Sequence, residues 1–366
     1  MPAQSDGHIS GLTGLRGVAA LLVIGFHYFL LDFGWVGVQI FFVLSSYLIT
    51  GILARQTDAT PGVFFGNFYG RRLLRIFPLY YAFLLIVGLL VLSPVDTSNL
   101  GAVWPYAMTH SYNLAVGVDE GNRNFFFTHV WSLNVEEQFY LLWPLLIYYC
   151  PRAVLPRVLV CFLLLGPLLR LGIYLLSEAA WPEARAAVSV YVMPLSYLDA
   201  FAAGSLVALG GVVRTRWFLA SLGLLLLTGA LSSGGLGSDL GYAINMEEGW
   251  QFIWGYSVLN LVSATLIGVI ASSEKPYPVL SWPVLNYLGR ISYGLYLLHR
   301  PMVAVGLALV SGLGLDLAPS DGLFALLCFF LTVAVSALSF HLFEDPITKL
   351  KERWFAYPDS NRAAGN

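Results

Sequence analysis

Charge is what this chain has least of. Only 11% of its 366 residues are Asp, Glu, Lys or Arg, against about a quarter in soluble domains. That scarcity excludes a water-soluble globular protein of this length. Cysteine is also sparse. Cys150, Cys161 and Cys328 lie in or beside apolar runs without metal-ligand spacing, so packing roles are expected, with no disulfide framework and no metal. The first residues lack a basic region and a small-residue cleavage site, and the first apolar segment is too long for a signal-peptide core; it is expected to be retained. No loop is long enough to form a soluble domain, and no internal repeat is visible.

What is present is apolar sequence, 58% of residues, in runs long enough to cross a bilayer. The chain reads as all-α, a polytopic integral membrane bundle of about ten transmembrane helices. They are expected near 12–31, 35–53, 77–93, 131–149, 158–176, 191–210, 217–233, 251–271, 288–312 and 322–343. Arg55, Arg71, Arg72, Arg75, Arg152, Arg157, Arg214, Arg216, Lys275, Arg290, Lys349, Lys351 and Arg353 fall in alternate loops, the others carrying mainly acids. The excess of basic residues places those loops and both termini in the cytoplasm. One membrane domain, 1–348, is expected, followed by a short charged cytoplasmic tail, 349–366. The longest outer loop, about 94–130, contains VWPYAMTHSYNLAV and suits a re-entrant or interfacial helix.

The first run, GLTGLRGVAALLVIGFHYFLL, holds Arg16 and His27. Ionisable groups in hydrocarbon are costly and mark functional positions. At about 100° and 1.5 Å per residue the two share one face, about 16 Å apart. Arg72 and Arg75 in YGRRLLRIFPLYY share a face as well, next to Arg71; topological anchoring and a phosphate site are both open readings. In THVWSLNVEEQFYLLWP, Glu136 shares a face with Tyr140, near Asn134 and Trp131. Counting along the runs puts Glu136 at the depth of His27, where a carboxylate would orient the imidazole and stabilise its charged form. Ser45, Ser46 and Thr50 in FFVLSSYLITGIL suit either close helix packing or the wall of the His27 cavity. LGRISYGLYLLHRPM adds Tyr293 and His299 as substrate or oxyanion candidates, although a lone histidine on such a helix is more often satisfied core. Asp199 is a buried acid that could pair with a cation or hold a helix break. His8, His110, His129 and His341 belong to no evident constellation.

GLTGLRGVAALLVIGFH, FFVLSSYLITGIL, RRLLRIFPLYY, WSLNVEEQFYLLWP, LDAFAAG and ISYGLYLLH, in this order, resemble the acyltransferase-3 family of membrane O-acyltransferases. Ser46 stands where the family commonly has glycine, and the soluble esterase-like domain some members append is not in this sequence. The resemblance implies a ten-helix enzyme that moves an acyl group, usually acetyl, from acyl-CoA to a hydroxyl of a saccharide, in a bacterial cytoplasmic membrane. It implies His27 as the catalytic histidine, Arg16 as its motif partner, Arg72 and Arg75 as the cytoplasmic pair, and Glu136 as the acid of the fourth span. The expected mechanism sets acetyl-CoA phosphates against Arg71, Arg72, Arg75 and Arg16. His27 is then the base, oriented by Glu136, and Tyr140 or Ser45 stabilises the oxyanion; an acetyl-histidine intermediate is equally compatible. Expected partners are acyl-CoA, a glycan or glycolipid acceptor and the lipid bilayer, with no nucleic acid. The rivals are a transporter of a small polar solute, which the lack of repeats disfavours, and an acyltransferase acting on a non-carbohydrate small molecule.

Overall fold

Within hydrocarbon the backbone must satisfy its own hydrogen bonds, which leaves helices or closed barrels. The computed structural model describes residues 6–89, 99–181, 183, 185–210, 213–246, 250–273 and 276–356, all helical or connecting, with no strand among them. Lys275, residues 90–98 and the tail from 357 onward lie outside the described residues. The helices are α1 (Asp6–His27), α2 (Gly37–Leu53), α3 (Pro61–Leu89), α4 (Leu100–Met108), α5 (Tyr112–Val118), α6 (Val130–Tyr149), α7 (Leu155–Ala180) and α8 (Ala186–Val192). They continue as α9 (Leu198–Ala208), α10 (Thr215–Ser233), α11 (Gln251–Ser272), α12 (Pro283–Arg290), α13 (Ser292–Gly312), α14 (Gly322–Ser339) and α15 (Asp345–Trp354).

By length and apolarity, eight helical stretches among the described residues can cross a membrane, or nine if a bent pair counts as one span. The chain is an integral membrane protein. α6, expected as the fourth span, is 20 residues long but carries Glu136 and Glu137 and is not among those eight. The segment expected as one span over 191–210 is broken: α8 and the stretch Pro194–Ala208 meet at 63°. Pro194 cannot donate a backbone hydrogen bond. The break is held by a buried ion pair, Arg170 Nη2 to Asp199 Oδ2 at 3.1 Å, with the side chains 0% and 2% exposed. Arg170 also donates to the carbonyls of Ser196 and Ile253, and Asn260 donates to Asp199. Each charge is thus hydrogen-bonded as well as paired, the condition under which burial is tolerated. Asp199 therefore serves the break and the cation together.

α3 is longer than expected, a single 29-residue helix that carries the arginines of YGRRLLRI and the third span without interruption. The outer loop folds into α4 and α5, tied down by Tyr80 donating to the Ala107 carbonyl (2.7 Å) and by Asn113 donating to Gln138 (3.2 Å). α15 runs through position 348 to Trp354 and docks on α3, where Glu352 accepts from Arg71 (2.8 Å).

α2 and α9 pack backbone to backbone. A Cβ on Gly204 would overlap Ser46 Oγ and the Val43 carbonyl, so only glycine fits. Ser46 is fully buried there and donates to Val43 O (2.9 Å). Thr50 bonds to Ser205 (2.6 Å) and accepts from Trp143 Nε1 (3.0 Å). Of the three small polar residues of α2, Ser46 and Thr50 are packing residues; Ser45 faces elsewhere.

Candidate active site

α1 carries Arg16 in its middle and ends on His27, and the two open into different spaces. Arg16 meets Arg72 and Arg75 of α3, and Glu136, Glu137 and Tyr140 of α6, around a pocket of about 60 Å³. His27 lines a cavity of about 540 Å³ with Trp35, Trp131, Tyr191 and Arg300. Val38 and Tyr296 line both and form the partition. Tyr296 is fixed by a short hydrogen bond to Ser132 and by donation to the His129 carbonyl (3.2 Å).

In the smaller pocket Glu136 is fully engaged. Ser45 Oγ donates to one carboxylate oxygen (2.8 Å) and Tyr140 OH to the other (3.0 Å). Arg72 stacks over the Tyr140 ring at 5.0 Å. Tyr293 lines the same pocket and donates to the Ile76 carbonyl (2.9 Å). Among the described residues none of Arg16, Arg72 or Arg75 forms an ion pair or hydrogen bond, and the Arg16 Nε–H is buried without a partner. Three guanidinium groups with unused planar donors around one space have the chemistry to hold an anion. Arg71 is not part of it. Its guanidinium donates to Glu352 and to the Phe355 carbonyl (both 2.8 Å), which draws it to α15. Asn134 is fully buried and also away from the pocket, beside His110.

The larger cavity has a row of three imidazoles at its back. The His27 and His299 rings are 4.8 Å apart, and His299 and His129 are 4.8 Å apart. His299 Nδ1 lies 2.7 Å from the Tyr296 carbonyl and His129 Nε2 lies 3.0 Å from the Leu297 carbonyl. A carbonyl accepts only, so each of those nitrogens carries the proton. The opposite nitrogens, Nε2 of His299 and Nδ1 of His129, are then lone-pair acceptors, buried and unpartnered. The described His, Cys, Asp and Glu residues form no metal-holding group of three or more.

The expected pairing of His27 with Glu136 is not formed. Depth explains it. α1 ends at His27, so His27 lies level with the start of α6, where His129 caps the helix. Glu136 is seven residues past that cap, about 10 Å further along the axis. His27 therefore faces His299, and Glu136 belongs with the arginines. Residue spacing gave no access to His129 or to Tyr296 as the partition. Each acts through neighbours far away in the chain, His129 through Leu297 and His299 of α13, and Tyr296, itself on α13, through Ser132 and His129. The only local hint was the number of polar residues on α13.

A family model described as an acyltransferase domain matches residues 9–341. The peptidoglycan O-acetyltransferase OatA of Listeria monocytogenes is 26% identical over 371 residues, 93% of this chain and 56% of its own length. The O-acetyltransferase OatA of Staphylococcus aureus is 25% identical over 373 residues, 96% of this chain and 59% of its own. The chain thus spans little more than half the length of these relatives. No solved structure matches it at the same stringency. With a match that runs from α1 through α14 and takes in both compartments, the chain belongs to the acyltransferase-3 family.

Proposed function

We propose that this protein transfers an acetyl group from acetyl-CoA, arriving from the cytoplasm, to a hydroxyl of a saccharide or glycolipid at the outer face of a bacterial cytoplasmic membrane. The observation that carries this reading is the meeting of two compartments at Tyr296. One is rimmed by three unpaired arginines and the other contains His27. The positive-inside bias puts the arginine pocket towards the cytoplasm, where the CoA phosphates would engage Arg16, Arg72 and Arg75. At about 60 Å³ the pocket has room for a few waters only, so the pantetheine arm enters when Tyr296 and its neighbours move aside.

In this mechanism the acceptor oxygen attacks the thioester carbon while His27 takes its proton. The tetrahedral intermediate collapses, the C–S bond breaks, and the imidazolium returns the proton to the CoA thiolate. On this reading the unpartnered Nε2 of His299, whose ring neighbours that of His27 at 4.8 Å, would accept the other His27 N–H once acceptor binds, setting the tautomer the base requires. Glu136, Ser45 and Tyr140 form a polar network on the donor side of Tyr296.

The test is transfer of radiolabelled acetyl from acetyl-CoA outside right-side-out or inverted proteoliposomes to a saccharide trapped on the opposite side. Transfer only when donor and the arginine pocket share a side supports the reading. Solute uptake without acetylated product would replace the enzyme with a carrier.

A further inference from the structure

The histidine cavity contains a cation that its surroundings leave unanswered. Three arginines line it: Arg123, Arg185 and Arg300. The first two share Glu120, at 3.8 and 3.0 Å. Arg300 has no such partner. Its guanidinium carbon sits over the Phe125 ring, 4.3 Å from its centre, a cation–π contact that uses none of its N–H donors. Its Nε–H is buried without an acceptor, and among the described residues none of its other donors is hydrogen-bonded. The cavity's own acid, Asp32, accepts from Ser238 (2.5 Å).

A guanidinium stacked on a ring keeps its donors in the plane, pointing away from that ring. The fork matches the two oxygens of a carboxylate or the oxygens of a phosphate. Leaving such donors unused in a partly enclosed site costs more than pairing them. Arg300 also follows His299 in the chain, and the His299 ring touches that of His27. The unused fork is therefore in the same cavity as the base and next to the residue that backs it. The same cavity is lined by the aromatic side chains of Trp35, Trp131 and Tyr191, a type of surface against which the apolar face of a sugar ring packs.

Resting on the reading of this cavity as the acceptor site, we propose that the acceptor is an acidic saccharide. Its carboxylate or phosphate, on or beside the sugar that is acylated, is received by Arg300, and this contact sets which hydroxyl meets His27.

The experiment is titration calorimetry of the full chain in phosphatidylcholine nanodiscs with methyl glucuronoside, methyl glucoside, glucose 6-phosphate and inorganic phosphate. Both acidic sugars should bind at least tenfold more tightly than methyl glucoside, and more tightly than inorganic phosphate. Arg300→Gln should remove the preference for the acidic sugars while keeping the weak glucoside binding, and Arg300→Lys should retain part of it. Equal binding of glucuronoside and glucoside by the wild-type protein overturns the proposal, whatever the variants do. Inorganic phosphate binding as tightly as the sugars, and lost with Arg300→Gln, makes this a simple anion site and overturns it too. Displacement of glucuronoside on adding phosphatidylglycerol assigns the fork to lipid headgroups, again against the proposal. Selectivity for acidic sugars alongside absent acetyl transfer would remove the proposed reaction and leave the subsite. Acetyl transfer to acidic and neutral sugars alike would do the reverse.

Discussion

The arginine pocket and the histidine cavity differ in size, in charge and in how far their own groups satisfy one another. The pocket of about 60 Å³ gathers Arg16, Arg72 and Arg75 with Glu136 and Glu137, and its one hydrogen-bonded carboxylate, Glu136, is satisfied by hydroxyls and not by the arginines. The cavity of about 540 Å³ has aromatic lining and His27, backed by His299 and His129, each with one buried ring nitrogen left without a partner. On the proposed reading the first receives the anionic groups of the donor, and the second holds the acceptor against His27. If that reading holds, donor and acceptor are handled by separate groups, and substitutions in the two regions should fail in different ways.

The largest expected effect is in the cavity. His27→Ala should lower turnover by about 10² to 10⁴, the usual span for losing a general base, with donor affinity unchanged. The protein should still insert, because alanine suits a membrane helix. Steady-state kinetics with binding measured alongside would check both halves. A near wild-type rate would remove His27 from the chemistry. A large loss of donor affinity would mean that the two regions are not separate.

Glu136→Gln sharpens the boundary between them. Counted along the sequence, Glu136 should serve His27, and its loss should lower turnover strongly with little change in acyl-CoA binding. In the structure it accepts from Ser45 and Tyr140 within the arginine pocket. Glutamine has one acceptor oxygen where the carboxylate has two, so one of those hydroxyls loses its partner. The expected outcome is a rise in donor KM of roughly tenfold, the equivalent of about 1.4 kcal/mol for a disrupted charge-assisted bond, with the pH profile unmoved. A shifted profile at unchanged KM would restore the histidine–carboxylate pair.

What the sequence made legible follows from the range of the signals. Arg16, Arg72 and Arg75 could be expected at one mouth because helical spacing and the bias of basic residues are local rules. The all-helical membrane fold followed from composition. Depth was harder. An error of four residues at the end of α1, which stops at His27 where a run to 31 was expected, moves His27 by about 6 Å and exchanges its neighbour. The bend before α9 had a visible cause in Pro194, but Arg170 lies 29 residues before Asp199, and no spacing rule joins them. His129, His299 and Tyr296 come together from α6 and α13 by packing alone.

The smallest expected effect concerns Arg71 and tests whether the pocket is specific or merely basic. Sequence places Arg71 with Arg72 and Arg75, and a diffuse positive patch would use all three. In the structure Arg72 and Arg75 line the pocket, whereas Arg71 turns about 100° away around α3 to meet Glu352 and the Phe355 carbonyl. The Glu352 side chain is 64% exposed, so their ion pair is worth about 0–1 kcal/mol. Arg71→Gln should therefore leave acetyl-CoA affinity within about twofold and lower thermal stability only slightly. Arg72→Gln in the same assay should weaken affinity tenfold or more, since a charge-assisted phosphate contact contributes about 1.5–3 kcal/mol, and the remaining binding should depend less on salt. Equal losses from the two variants would mean that CoA is drawn by the net charge of the α3 face. A loss from Arg71 alone would move the donor site to the seam between α3 and α15.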